Sequence, residues 1–207
     1  MRVLIADDHA IVRKGLRQIA EESRKIEVGE ASNGQEALDK VRGERWDALV
    51  LDINMPGRHG LDVLQSVRDI QPGLPVLVLS VHPEDQYAMR VLRAGAAGYM
   101  NKDAAPDELV LALQKVVGGG KYISQQLAER LAFDVSSDND KLPHEKLSDR
   151  EYRVLLMIGE GKSVGQIALE LSLSVKTVST YRTRLLEKMN LHNNADMIRY
   201  VIEHTLS

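Results

Sequence analysis

The chain has 207 residues, 43% of them hydrophobic and 28% charged, with no cysteine and a formal net charge of −3. That length accommodates two modest domains with real cores, and the missing cysteine excludes disulfides, thiolate nucleophiles and cysteine-ligated zinc. No apolar run approaches the roughly 18 residues of a membrane span, and the first residues lack the basic start and apolar core of a signal peptide. A cytoplasmic chain without a membrane partner is therefore expected. Charge is spread unevenly: residues 1–120 carry 15 Lys and Arg against 18 Asp and Glu, whereas residues 141–207 carry 10 against 8. A mildly basic tail on an acidic body suits a polyanionic partner for the tail.

Five short apolar, β-branched runs, at 3–6, 26–31, 48–53, 76–80 and 97–100, read as strands. Helical segments with clear punctuation lie between them. Asn33-Gly34 opens one that Gly43 closes, Pro83 opens another that Gly95 closes, and Pro106 opens a last one that Gly118 ends. Strands alternating with helices predict βα units and a doubly wound, five-stranded parallel sheet. The near-continuous apolar runs ALVLD and VLVLS fit burial on both faces. These elements define a first domain over residues 1–120.

Residues 121–146 read as a linker. After Gly118-Gly119-Gly120 a short helix is predicted over 124–133, then polar, turn-rich sequence with a flexible boundary at 134–146. Residues 147–207 form a second, all-α domain. Ser148 and Glu151 make a capping box that opens a helix running to Gly159. A second helix covers 163–171, Ser174 caps a third over 175–189, and the last spans 194–205.

The polar residues at the strand ends carry the first functional argument. Asp7 and Asp8 follow the first strand, Asp52 ends the third, Ser80 ends the fourth and Lys102 lies just past the fifth. In an open parallel sheet the ligand site lies beyond the carboxyl ends of the strands, where the strand order reverses. Taken singly, Lys102 reads as a solvated lysine and Ser80 as a helix cap; their joint arrival at one edge points to a site. Three converging carboxylates repel one another unless a cation joins them, and Mg2+ prefers oxygen ligands of this kind. A carboxylate nucleophile, Mg2+, a lysine and a hydroxyl are the parts of phosphoryl transfer, which depends on positioning and charge neutralisation.

ADDH, LDINMPGRHGLD, VLVLSVHPED and GYMNKD resemble the receiver domain of bacterial two-component response regulators, a flavodoxin-like fold. The resemblance implies that Asp52 is the phosphoacceptor. It implies that Asp7, Asp8 and Asp52 hold Mg2+ with the backbone carbonyl of Asn54, Asp8 being the more direct ligand of the acidic pair. Ser80 matches the switch hydroxyl, Tyr99 the switch aromatic and Lys102 the phosphate-binding lysine. One position departs from the pattern: Ala104 stands where many receivers carry a proline.

Gly159-Glu160-Gly161-Lys162-Ser163 resembles part of a P-loop, but Leu156 stands where the motif needs its first glycine and helix, not strand, precedes it. The glycines instead end one helix and turn into the next. Helix, Ser172-Leu173-Ser174 turn and capped helix make a helix-turn-helix. On its second helix Val175, Val178, Tyr181, Leu185 and Met189 recur at helical spacing and are expected to face the core. The opposite face is polar and basic, as suits a helix in a major groove. There Lys176, Thr177, Arg182, Arg184 and Lys188 are candidates for phosphate and backbone contacts, and Ser179, Thr180 and Thr183 for base edges. LSDREYRVL and GKSVGQIALELSLSVKTVSTYRTRLLEKM resemble the four-helix LuxR-type DNA-binding domain, and the domain order that of NarL/FixJ-class regulators.

Together these resemblances imply a transcription factor rather than an enzyme. A sensor histidine kinase would phosphorylate Asp52, which would later lose its phosphate slowly. Phosphorylation would draw in Ser80 and Lys102, repack Tyr99 inward, release a reading helix covered by the receiver, and favour a homodimer on paired DNA half-sites. The receiver's outer helices and the apolar stripe of Ile198, Val201 and Ile202 are candidate dimer contacts. Alternatives are an adaptor that is never phosphorylated, which needs none of the pocket charges, and a hydrolase, for which no substrate domain remains.

Overall fold

The structure, a computed structural model, describes residues 1–23, 25–55, 60–81, 84–124, 127–129, 142–171, 173–204 and 206, with backbone alone for 84–87 and 149. Pro83, most of the helix expected at 124–133, Ser172 and residues 134–141 of the expected linker lie outside the described residues. The chain divides into two compact units, Met1–Ala132 and Phe133–Ser207.

In the first unit the strands are β1 (Arg2–Ala6), β2 (Glu27–Ala31), β3 (Ala48–Asp52), β4 (Val76–Ser80) and β5 (Gly98–Asn101). All pair in parallel, in the order β2-β1-β3-β4-β5. The helices between and after them are α1 (Ala10–Glu22), α2 (Gly34–Gly43), α3 (Gly60–Ile70), α4 (Glu84–Arg93) and α5 (Ala105–Val117). β3 and β4 are buried along their whole length, as strands covered on both faces must be. Val3, Ile5, Val50, Leu77 and Leu79 face Leu16 and Ala20 of α1 and Leu109, Ala112 and Leu113 of α5. Alternate strand residues such as Leu4, Leu49 and Leu51 are equally buried and point to the opposite face. There α2 and α3 pack together.

Local chemistry sets these limits. Asn33 caps α2 by accepting from Glu36 N at 2.9 Å, while Glu36 accepts from the Ser32 N–H at 2.7 Å. After β5 comes a 3-10 turn, Lys102–Ala104, capped by Asn101. The residues following α5 return to the sheet: Tyr122 N donates to Ala97 O and Tyr99 N to Tyr122 O, each at 3.0 Å. Gly98 permits that approach, since a Cβ there would lie 2.6 Å from Tyr122 O.

The second unit contains α6 (Asp149–Gly159), α7 (Val164–Glu170), α8 (Val175–Met189) and α9 (Asn194–Glu203). Ser148, Ser163, Ser174 and Asn193 cap them, each accepting from a backbone N–H of the first turn. Asn190 ends α8 in the left-handed conformation with φ 53°. Tyr152, Leu155, Ile158, Ile167, Val178, Leu185, Met197 and Val201 are buried here. Residues 143–146, expected as linker, form a 3-10 turn whose His144 lies 2.9 Å from the Tyr200 hydroxyl on α9.

Candidate functional site

The strand order reverses between β1 and β3, and the register sets Ala6 against Leu51. Asp7 and Asp52, one residue further on each strand, therefore emerge side by side at the carboxyl edge. Asp7, Asp52 and Ser80 are each 0% exposed. Lys102, delivered by the turn after β5, donates from Nζ to Asp7 Oδ2 at 2.6 Å and to Asp52 Oδ2 at 2.7 Å. The backbone N–H of Asn54 donates to Asp52 Oδ1 at 2.9 Å, and that of His9 to Asp7 Oδ1 at 2.8 Å. Asp8 is partly exposed, and its carboxylate belongs with Asp7, Asp52 and His9 to one cluster whose ligand atoms lie within 4.8 Å of one another.

Burial pushes the Asp52 carboxyl up from its ordinary range, against the opposing pull of the Asn54 N–H and of Lys102. Burial also works against the Lys102 charge, but hydrogen bonds to Asp52 and Asp7 outweigh it and hold the ammonium above its ordinary value. One lysine cannot balance three carboxylates. Asp8 Oδ1 is buried and makes no hydrogen bond among the described residues, although His9 Nδ1 comes within 3.0 Å. Three carboxylates with excess negative charge and an orphaned Asp8 oxygen fit a hard, oxygen-preferring divalent cation such as Mg2+.

The pocket joins Asp7, Asp8, Asp52 and Lys102, with Ser80 buried at the same edge. Tyr99 is already buried on β5 in this structure. Sequence reasoning passed over three neighbours. His9 reaches into the cluster; its only signal was adjacency to the acidic pair. Arg13 donates to Asp7 O at 2.7 Å and lies 3.4 Å from Glu30, tying α1 to the strand ends. Gly60 lies against the Asp52–Ile53 main chain.

On α8 Lys176, Ser179, Thr180, Thr183 and Arg184 are exposed and Thr177 is half-buried. Lys176, Thr177, Thr180, Tyr181 and Arg184 line a concavity of about 310 Å³. The expected core stripe holds for Val178, Leu185 and Met189. Tyr181 is only half-buried and Val175 is 56% exposed, because Val175 is the first helical residue and projects past the core at the end of the element. Two of the proposed cations are engaged: Lys188 donates to Glu151 at 2.7 Å and Arg182 to Asn194 at 2.6 Å. On α9 Val201 is buried against Gly159 and is no surface contact, whereas Ile202 is 65% exposed.

An acidic pocket at the switch point of a parallel α/β sheet, with a helix-turn-helix unit after it, defines a signalling protein of two parts. Residues 3–114 match the response regulator receiver domain, and residues 145–201 match the luxR family of bacterial regulatory proteins. The chain belongs to the two-component response regulators that join a receiver to a LuxR-type DNA-binding domain, the NarL/FixJ class, and its function is transcription regulation. It is 37% identical over 208 residues to the response regulator UvrY of Escherichia coli strain K12, covering 100% of this chain and 95% of that one. Against GacA of Pseudomonas aeruginosa it is 35% identical over 206 residues, covering 99% and 96%. Among solved structures, the Salmonella typhimurium response regulator RcsB superposes with a TM-score of 0.76 at 26% identity, over 100% of this chain and 98% of that one. RcsB bound to the promoter rprA with the phosphomimetic BeF3− gives 0.70 at 27% identity, over 97% of each.

Proposed function

We propose that Asp52 accepts a phosphoryl group from the phosphohistidine of a sensor kinase in the cytoplasm, and that this controls DNA binding by α8. The observation that carries the reading is the convergence of Lys102 on two buried carboxylates from adjacent strands. An Asp52 oxygen forms the new bond to phosphorus as the phosphorus–nitrogen bond to the donor imidazole breaks, its electron pair staying on the imidazole. Asp7, Asp8, Asp52 and the Asn54 carbonyl would hold Mg2+, which supplies charge neutralisation when bound. The Asn54 N–H fixes one Asp52 oxygen. Lys102 donates to the other and would follow the charge onto the phosphoryl oxygens. We assign Ser80, buried at the end of β4, as the hydroxyl that would donate to a phosphoryl oxygen, and Tyr99, buried on β5, as the switch aromatic. Water later releases the phosphate and resets the chain.

In the second unit Lys176, Ser179, Thr180, Thr183 and Arg184 form the exposed DNA face beside half-buried Thr177, with Arg182 and Lys188 as supporting cations. A symmetric homodimer would match paired half-sites. The test is intact mass after incubation with acetyl phosphate. One phosphoryl group should be added with Mg2+, none without it and none to Asp52→Ala. A full chain that gains no mass, and whose DNA affinity ignores beryllofluoride, overturns the reading.

A further inference from the structure

On the exposed face of α8 the two threonines proposed to meet base edges do not present free hydroxyl donors. Thr180 Oγ1 donates to Lys176 O at 3.0 Å, and Thr183 Oγ1 donates to Ser179 O at 3.1 Å. A hydroxyl has one proton, so each donor is committed to the preceding turn. Turning Oγ1 inward leaves the γ-methyl as the outward group of an exposed side chain. Neighbouring residues add to this surface. Val175, Ser179 and Thr183 stand in one row at four-residue spacing, with Lys176, Thr180 and Arg184 in the next. Val175 contributes an isopropyl group that is 56% exposed. The face is thus a methyl-bearing strip with cations at Lys176 and Arg184.

In the major groove the one apolar feature on a base edge is the 5-methyl of thymine, and threonine methyls pair with it. We infer that Thr180 and Thr183 determine specificity by contacting thymine methyls, so that the favoured half-site carries thymine where these residues meet the groove. This rests on the DNA-binding reading above and adds the chemistry of the base that is read.

The experiment uses the full chain treated with beryllofluoride and a duplex selected by it from a random-sequence library. Thymines of that duplex are replaced one at a time by uracil, which removes only the methyl. A lost methyl contact should weaken binding about fourfold at each contacted position. Thr180→Ser and Thr183→Ser, which keep the hydroxyl and lose the methyl, should weaken binding to the thymine duplex by a similar factor and should not respond to uracil at the matched position. Thr180→Val and Thr183→Val, which keep a methyl and lose the hydroxyl, should keep the parent's discrimination between thymine and uracil at the matched positions. Uracil and thymine duplexes bound equally by the parent chain would overturn the inference. So would valine variants that fail where serine variants succeed, since the hydroxyl would then be the reader. Where a variant does not fold, uracil substitution on the unaltered chain decides alone. Selection that enriches no duplex overturns the DNA-binding reading itself, and this inference with it.

Discussion

Gly60 shows how closely Asp52, the proposed acceptor, is supported from behind. A Cβ at this position would lie 2.5 Å from Ile53 Cα and 3.0 Å from Asp52 O, and the Gly60 N–H already donates to Ile53 O at 3.1 Å. These obstacles are main chain and cannot swing aside as a side-chain tip would. Gly60→Ala should cost about 1–3 kcal/mol, the range for overpacking. It should also slow phosphoryl uptake, because the displacement falls on the peptide that carries Asp52. Urea unfolding and the rate of mass gain with acetyl phosphate measure the two effects, and a variant normal in both would mean that the contact yields freely. The sequence announces Asp7, Asp8, Asp52, Ser80 and Lys102 because each ends or follows a strand. It says nothing of Gly60, whose role lies in a distance between main chains that no residue pattern encodes. His9 and Arg13 were missed for a similar reason: either, read alone, looks like an ordinary solvated side chain.

Within the second unit α6 and α8 are joined through a buried charge. Glu151 is 3% exposed, accepts the Ser148 N–H at 2.9 Å and takes Lys188 Nζ at 2.7 Å. Burial pushes its carboxyl up, but hydrogen bonds from Lys188 and Ser148 prevail and hold it below the ordinary value of 4.5. A carboxyl depressed on folding contributes stability that is complete above its unfolded value and is lost as pH falls through the folded one. Glu151→Gln should therefore lower stability at neutral pH by about 1–3 kcal/mol, the cost of disturbing a buried hydrogen-bonded charge. Its stability should also change less than the parent's as pH falls below 4.5. Circular dichroism melts across that window follow both; parallel pH curves for the two chains would count against the clamp. Sequence reading located α8 correctly from Ser174 and the helical period. Periodicity assigns a stripe but not where along it the core stops. The stripe therefore includes Val175, which is exposed, and an apolar surface stripe on α9 includes Val201, which is packed against Gly159.

At the scale of the whole chain, two cores of different construction carry two tasks, and each can be probed separately. The chain's one tryptophan, Trp46, lies in the first unit, with its ring against Gly29 and the Arg2 guanidinium 4.6 Å from the ring centre. Its fluorescence therefore reports the receiver, whereas far-ultraviolet circular dichroism sums both units. In the second unit a Cβ on Gly159 would lie 2.6 Å from Val201 Cγ1, inside the α6–α9 contact. Gly159→Ala gains up to about 1 kcal/mol in helix propensity but loses about 1–3 kcal/mol to crowding. Crowding should win, because Val201 is β-branched, fully buried and short of alternative rotamers. If each unit is stabilised by its own core, Gly159→Ala lowers the urea midpoint of a circular dichroism transition and leaves the Trp46 midpoint where it was. Gly60→Ala should instead lower the Trp46 midpoint together with the receiver's share of the circular dichroism change, and leave the second unit's share where it was. Midpoints of the two units that move together in either variant would mean that the units unfold as one, and that signal could then pass through shared stability as well as through the pocket and the reading helix.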